Sequence, residues 1–248
     1  TTDLISAAMI YTGFRPDLPD TWIDSGECCV DPKLMSDIYK DQLEGPDVVV
    51  PDTVFIGVHG FSASANELSS VKAGFSDKGI QMSLINLGGH GTSLDDFRKS
   101  TWQEWQQPII EEYNALTNYG VKNVGFVAVS AGASLVIEAL ATKKFGESPS
   151  ISHLFFVDGL VRAVNPALPY LQWFKPVSNY LPDRLSRSIN DNQRGVWYSY
   201  NPFYSLVQLS ELSSIVEERL KSGVNLPNDV NVMVFQARYD AVVNKDSA

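Results

Sequence analysis

Histidine, cysteine and long apolar runs are all scarce in this chain. His59, His90 and His153 are the only three histidines in 248 residues. Few side chains are therefore available for proton transfer near neutral pH. The two cysteines, Cys28 and Cys29, are sequence neighbours. Their Cα atoms lie ~3.8 Å apart, short of the usual disulfide span, so no disulfide framework is expected. No Cys-x-x-Cys spacing or partnering histidine suggests a zinc site, and no metal or cofactor is expected. No apolar run reaches membrane-spanning length, so no transmembrane segment is expected. The chain does not open on a basic segment followed by an apolar block, so no secretory leader is expected in it. It opens on threonine and is read as processed or incomplete.

Positive charge is short as well. Nineteen Lys and Arg against 29 Asp and Glu leave a formal charge of −10. That balance argues against nucleic acid or an anionic membrane as partner. With 44% hydrophobic and 19% charged residues, the chain reads as soluble and globular. Nothing in it separates a cytoplasmic from a secreted protein, or fixes an oligomeric state. Its length suits one large α/β domain, or one domain carrying an insertion.

What is present is a strand-and-helix alternation that begins after residue 50. Residues 1–50 hold Pro16, Pro19, Pro32 and Pro46 and read as an N-terminal extension, with one helix near 32–43. Thr53–Val58, Ile80–Leu87, Val121–Val129, Ile151–Val157 and Val230–Phe235 read as strands. Helical spacing follows most of them. Ser64 to Glu67 and Thr101 to Glu104 both have the capping-box pattern. Pro108 predicts a kink or a late start in the second of these helices. The alternation predicts a mostly parallel, doubly wound sheet. It covers 51–160 and resumes at 226–248. The stretch between, 161–225, reads as an inserted cap. Tyr170, Trp173, Phe174, Tyr180, Trp197, Tyr198, Tyr200, Phe203 and Tyr204 crowd into it. They suit either an apolar acyl pocket or the cap's own core.

The candidate chemistry centres on Ser130. The run Val127-Ala128-Val129-Ser130-Ala131-Gly132 takes an apolar strand into small-x-Ser-x-Gly and then a helix. That is the layout of a nucleophile elbow, which lifts a serine Oγ clear of the sheet. His59-Gly60-Phe61 follows an earlier strand, and the Phe61 amide there, with that of Ala131, suits an oxyanion hole. Asp240 follows the last strand and suits the acid that orients a histidine. Asp158, at the end of the strand before the cap, is its rival. His59, Gly60, His90 and Asp158 are expected around the substrate pocket.

Together these pieces resemble the α/β-hydrolases of the carboxylesterase and monoacylglycerol-lipase group. The resemblance rests on Val58 to Ser62, Gly89-His90-Gly91-Thr92-Ser93, Val129 to Gly132, and Gln236 to Asp240 continuing through Asn244 to Ala248. It covers 53–248 and not the extension. It implies hydrolysis of a small-molecule acyl ester or lipid without a cofactor. Ser130 would be the nucleophile, Asp240 the acid, and Phe61 with Ala131 the oxyanion hole. Ala128 stands where the group usually has glycine.

The larger departure is the base. The group's catalytic histidine follows the acid, after one more strand, and no histidine follows Asp240 here. His59 looks committed to the oxyanion loop, His90 to the Gly-His-Gly loop, and His153 to the far end of a strand. The chain is therefore read as lacking its C-terminal strand, helix and histidine. The alternatives are a catalytically incomplete hydrolase-fold binding protein, or a thioesterase, lysophospholipase or peptidase of the same fold. A dehalogenase is disfavoured, because it would need a carboxylate at the position of Ser130.

Overall fold

Five apolar runs become five parallel strands of one sheet. The computed structural model describes residues 50–181, 185–186, 196–226, 228–238, 240 and 242–247. The expected extension lies outside these residues except for its last position, as do the helix near 32–43, Cys28 and Cys29. The strands are β1 (Thr53–Val58), β2 (Gln81–Ile85), β3 (Asn123–Val129) and β4 (Ser150–Val157). Two short strands, β5 (Leu185–Ser186) and β6 (Tyr200–Asn201), pair antiparallel with each other and lie apart from the sheet. β7 (Asn231–Phe235) completes the sheet, whose order is β2-β1-β3-β4-β7.

Alternate residues of the central strands feed two cores, because successive side chains point to opposite faces. Val54, Ile56, Val58, Phe126 and Ala128 pack on one side. Phe55 and Val127 pack on the other, with Met82 and Leu84. Burial on both faces explains why these strands read as continuous apolar runs. β7 differs. It is an edge strand, and Met233 and Phe235 are each 53% exposed.

The helices are α1 (Ser69–Ser76), α2 (Leu94–Lys99), α3 (Trp102–Asn118), α4 (Ala131–Ala141) and α5 (Phe203–Ser222). Val71 and Phe75 of α1 cover one face of the sheet. Trp105, Ile109 and Tyr113 of α3, with Leu135 and Val136 of α4, cover the other. α5 runs over α4 and also carries a 3₁₀ stretch, Leu168–Tyr180, through Phe203, Leu206, Val207 and Leu171.

The capping box from Thr101 to Glu104 forms as expected. The one expected from Ser64 to Glu67 does not. Ser64 makes no side-chain cap bond, and a short 3₁₀ turn, Ala65–Leu68, stands before α1. α3 starts at Trp102 and runs through Pro108, so the expected late start does not occur. Pro108 has no N–H to give to the Glu104 carbonyl. Gly88 packs against that carbonyl instead, where an added Cβ would lie 2.2 Å from its oxygen.

Candidate active site

The sheet order reverses at β1. The chain moves outward from β1 to β2, then returns to place β3 on its other side. Such a reversal opens a crevice beyond the carboxyl ends of the two inner strands. Val58 and Ala128 are register partners there. The segments leaving these strands are His59-Gly60-Phe61 and Ser130-Ala131-Gly132, so these two loops meet.

Ser130 sits at φ +49°, ψ −118°, between the end of β3 and the start of α4. A non-glycine residue in this region carries backbone strain. Backbone bonds on both sides hold it. Its N–H donates to the Val157 carbonyl at 3.0 Å, and its own carbonyl accepts from Leu160 at 3.0 Å and Ala133 at 3.1 Å. Its hydroxyl makes no capping bond to α4, so a helix cap does not explain the serine.

Gly132 permits the close crossing. A Cβ there would lie 2.5 Å from the His59 carbonyl oxygen and 2.7 Å from that of Val58. Both are backbone atoms and cannot swing aside. Alanine normally gains up to about 1 kcal/mol over glycine inside a helix, whereas overpacking costs about 1–3 kcal/mol. The clash should win. Gly132→Ala is expected to lower unfolding stability by about 1–2 kcal/mol, measured in urea. A variant as stable as wild type would refute the close crossing.

A cavity of about 540 Å³ opens beside Ser130. Gly60, Phe61, Asp158 and Asp240 line it, as do Glu67 and Trp197. Leu160, Leu168, Leu171, Leu206, Leu209 and Val243 make half of the remaining wall, and Asn165 and Asn201 add polar groups to it. The wall is thus largely aliphatic. Of the aromatics in 161–225, Tyr198, Tyr200 and Phe203 are buried in packing, and Trp173 is 71% exposed. Trp197 is the aromatic of 161–225 that reaches the cavity among the described residues. Ala131 is buried as the first residue of α4, directly after Ser130.

The two carboxylates named from sequence are both anchored by backbone amides. Asp240 Oδ1 accepts from Val242 at 2.6 Å and Val243 at 2.7 Å. Residues 242–244 are held in turn against 162–164, through Val164 N–H to the Val242 carbonyl and Asn244 N–H to the Arg162 carbonyl. Asp158 has φ +45° and accepts from Ala237 N–H at 2.6 Å. Its own N–H donates to the Phe235 carbonyl. One amide-held oxygen in each case leaves the carboxylate's orientation set by the backbone.

The histidines lie elsewhere. His59 is wholly buried and accepts at Nε2 from Leu87 N–H at 3.0 Å. Its proton is therefore on Nδ1, which donates to the Gly60 carbonyl at 2.8 Å. Burial pushes its pKa down to about 4, against the raising effect of the Gly60 bond. His90 is 1% exposed and packs between Phe97 and Trp105. Burial holds its pKa well below the usual imidazole range, and nearby His59 adds to this. Neither ring forms part of the cavity wall, in contrast to the sequence expectation that put both at the pocket. Each is a neutral packing group behind the two loops. His153 sits on β4 opposite Gly125, about 13 Å down the strand from Val157. Among the described residues no imidazole lines the cavity. Nor could any group of three or more His, Cys, Asp or Glu among them hold a metal ion.

Glu67 is the residue that sequence reasoning missed. Its carboxylate accepts from Gly60 N–H at 2.7 Å and from the Trp197 indole N–H at 2.9 Å. The capping-box pattern pointed its side chain back to Ser64, and nothing local marks the real partners.

No protein-family model matches the chain. Solved structures do match. One from the LipS and LipT pair of metagenome-derived lipolytic enzymes aligns with TM-score 0.65 and 20% identity, over 80% of this chain and 77% of that one. A soluble variant of monoglyceride lipase from Saccharomyces cerevisiae, in complex with a substrate analog, gives TM-score 0.61 and 11% identity, over 81% and 72%. The monoacylglycerol lipase of Paleococcus ferrophilus gives 0.50 and 12%, over 74% and 84%. The parallel sheet, its helix-covered faces and these alignments identify the architecture: this chain has the α/β-hydrolase fold.

Proposed function

We propose that this chain is a serine hydrolase of carboxylic acyl esters, with Ser130 as nucleophile. The observation that carries the reading is the strained turn at Ser130, on the wall of a largely aliphatic cavity. Strain of this kind persists only where surrounding structure over-determines it, and it clusters at reactive sites. The structural neighbours named as lipolytic enzymes and monoacylglycerol lipases support ester hydrolysis as the reaction.

In this reading the turn is a nucleophile elbow. Ser130 Oγ attacks the ester carbonyl while its proton passes to a base. The C–O π pair moves onto the carbonyl oxygen. Phe61 and Ala131 offer their N–H groups to that oxyanion. The positive end of α4 favours the same charge. Collapse expels the alcohol, which takes the proton, and leaves an acyl-serine. Water repeats the cycle and releases the acid. Asp240 is the carboxylate assigned to orient the base, because two amides hold one of its oxygens and leave the other for an imidazole. The segment 161–225 acts as the cap, and its leucines receive the acyl chain. Monoacylglycerols or simple carboxylic esters fit such a wall.

The position of the histidines favours a second reading, a binding protein with an incomplete triad. A fluorophosphonate probe on the intact protein separates the two. Labelling confined to Ser130 supports the hydrolase. An unlabelled serine supports the binding protein. Hydrolysis of p-nitrophenyl esters of graded length should then rise with acyl length until the cavity is filled. An optimum confined to thioesters would instead favour a thioesterase.

A further inference from the structure

We propose that Glu67 is a positioning residue that latches the cap to the loop carrying the Phe61 amide, with Trp197 as the cap's handle. The inference rests on the serine-hydrolase reading above. One carboxylate oxygen of Glu67 takes the Gly60 N–H at 2.7 Å, and the other takes the Trp197 indole N–H at 2.9 Å. Both bonds are charge-assisted and partly buried, which makes them stronger than neutral pairs. Glu67 holds the peptide before Gly60, and the His59 imidazole holds the carbonyl of the next peptide, which carries the Phe61 N–H, so the Glu67 bond fixes the loop one residue ahead of that amide. The space is tight. A Cβ on Gly60 would lie 3.2 Å from Ser130 Cβ and 3.4 Å from Glu67 Oε2.

The residue after the handle is stitched to the same loops. Tyr198 N–H donates to the Ser62 carbonyl at 2.9 Å. Its hydroxyl accepts from Thr92 N–H and donates to the Ser93 carbonyl, each at 3.2 Å. Its ring stacks on Phe97 at 5.1 Å with 2° between the planes. Tyr198 thus fixes the backbone while Trp197 faces the cavity, which its ring helps to line. A substrate that presses on Trp197 therefore acts, through Glu67, on the loop beside Ser130. The latch couples cavity filling to the oxyanion donor.

Removing an oxyanion donor outright costs about 10²–10³-fold in kcat. Letting one drift should cost less, about tenfold. Trp197→Phe keeps an aromatic ring, smaller than indole, and deletes the N–H. Glu67→Gln keeps the size but leaves a single acceptor oxygen, so it cannot serve both donors. Each single variant is expected to lower kcat about tenfold on the best p-nitrophenyl ester, with KM within about twofold of wild type. In the Trp197→Phe background, Glu67→Gln should cost less than about twofold more, because its one oxygen then suffices for Gly60. Thermal unfolding of each variant separates this from a structural role, which would lower Tm and leave kcat alone. Wild-type kcat in both single variants, a rise confined to KM, or full additivity in the double variant would each overturn the latch. An intact wild-type protein that neither labels at Ser130 nor hydrolyses esters would overturn the serine-hydrolase reading, and the latch with it.

Discussion

Ser130→Gly is expected to be more stable than wild type and to hydrolyse nothing. The backbone at Ser130 holds φ +49°, ψ −118°. A side chain in such a conformation costs about 1–3 kcal/mol. Glycine relieves that strain but loses about 0.5–1 kcal/mol more conformational freedom on folding. The net gain should be about 1 kcal/mol. Ser130→Ala keeps the Cβ and therefore the strain. The hydroxyl makes no capping bond to α4, so its loss should move stability by less than about 0.5 kcal/mol. Both variants should lose fluorophosphonate labelling entirely and ester turnover by about 10⁴-fold or more. Urea unfolding and steady-state kinetics on the three proteins check this. A helix-capping serine would behave in the opposite way: the alanine variant would lose about 1 kcal/mol and keep its chemistry. That outcome would sink the assignment of Ser130 as nucleophile.

Acid should strip away stability through His59. The unfolded chain binds a proton on this ring near the ordinary pKa of 6.5, whereas the folded chain does so only at about 4. Between those values the unfolded state holds more protons, so stability rises with pH. The contribution is complete above about pH 6.5 and is lost as pH falls toward about 4. Its size follows from the displacement of the pKa, about 3 kcal/mol. The cause is structural. An imidazolium would be buried without water, and its Nε2 would become a donor facing the Leu87 N–H. His90 acts in the same direction, for burial also lowers its pKa, and the two rings lie only 5.4 Å apart. Urea midpoints taken across this range should fall for wild type. His59→Gln offers a donor and an acceptor without titrating, so its acid loss should be smaller by about 3 kcal/mol. Equal slopes in the two proteins would show that His59 does not control the transition.

These two expectations sit differently in the sequence. Ser130 was legible because strand, turn and helix are contiguous. An apolar run, the small residues Ser130-Ala131-Gly132 and a helical run poor in breakers mark the turn in one contiguous stretch. The helix expected after the turn forms as Ala131–Ala141. The capping box at Thr101 was legible on the same local grounds. The role of His59 was not. Its Nε2 partner, Leu87, lies 28 positions away, on the loop after another strand. A pattern that suits the rim of a pocket therefore turned out to be a buried strut.

Glu67 shows the limit most clearly. Its spacing from Ser64 fits a capping box, and the local pattern is a correct statement of what that carboxylate could do. Gly60 and Trp197, 7 and 130 positions away, offer two N–H donors in one partly buried place. Those two donors take both carboxylate oxygens, and a charged acceptor is strengthened by partly buried N–H groups. The aromatics of 161–225 divided in a similar way. Composition marked them as one group, yet packing sent Tyr198 and Tyr200 inward, left Trp173 and Tyr180 outside, and gave the cavity a largely aliphatic wall.

By itself, then, the sequence determined the strand and helix alternation, the strained serine turn and the parallel sheet, because these follow from periodicity and from residues within one turn of each other. Only the tertiary structure decided that Glu67 and Trp197 face the cavity and that His59 and His90 do not. That choice depends on which strands become neighbours, and a neighbour across a sheet carries no fixed distance along the chain.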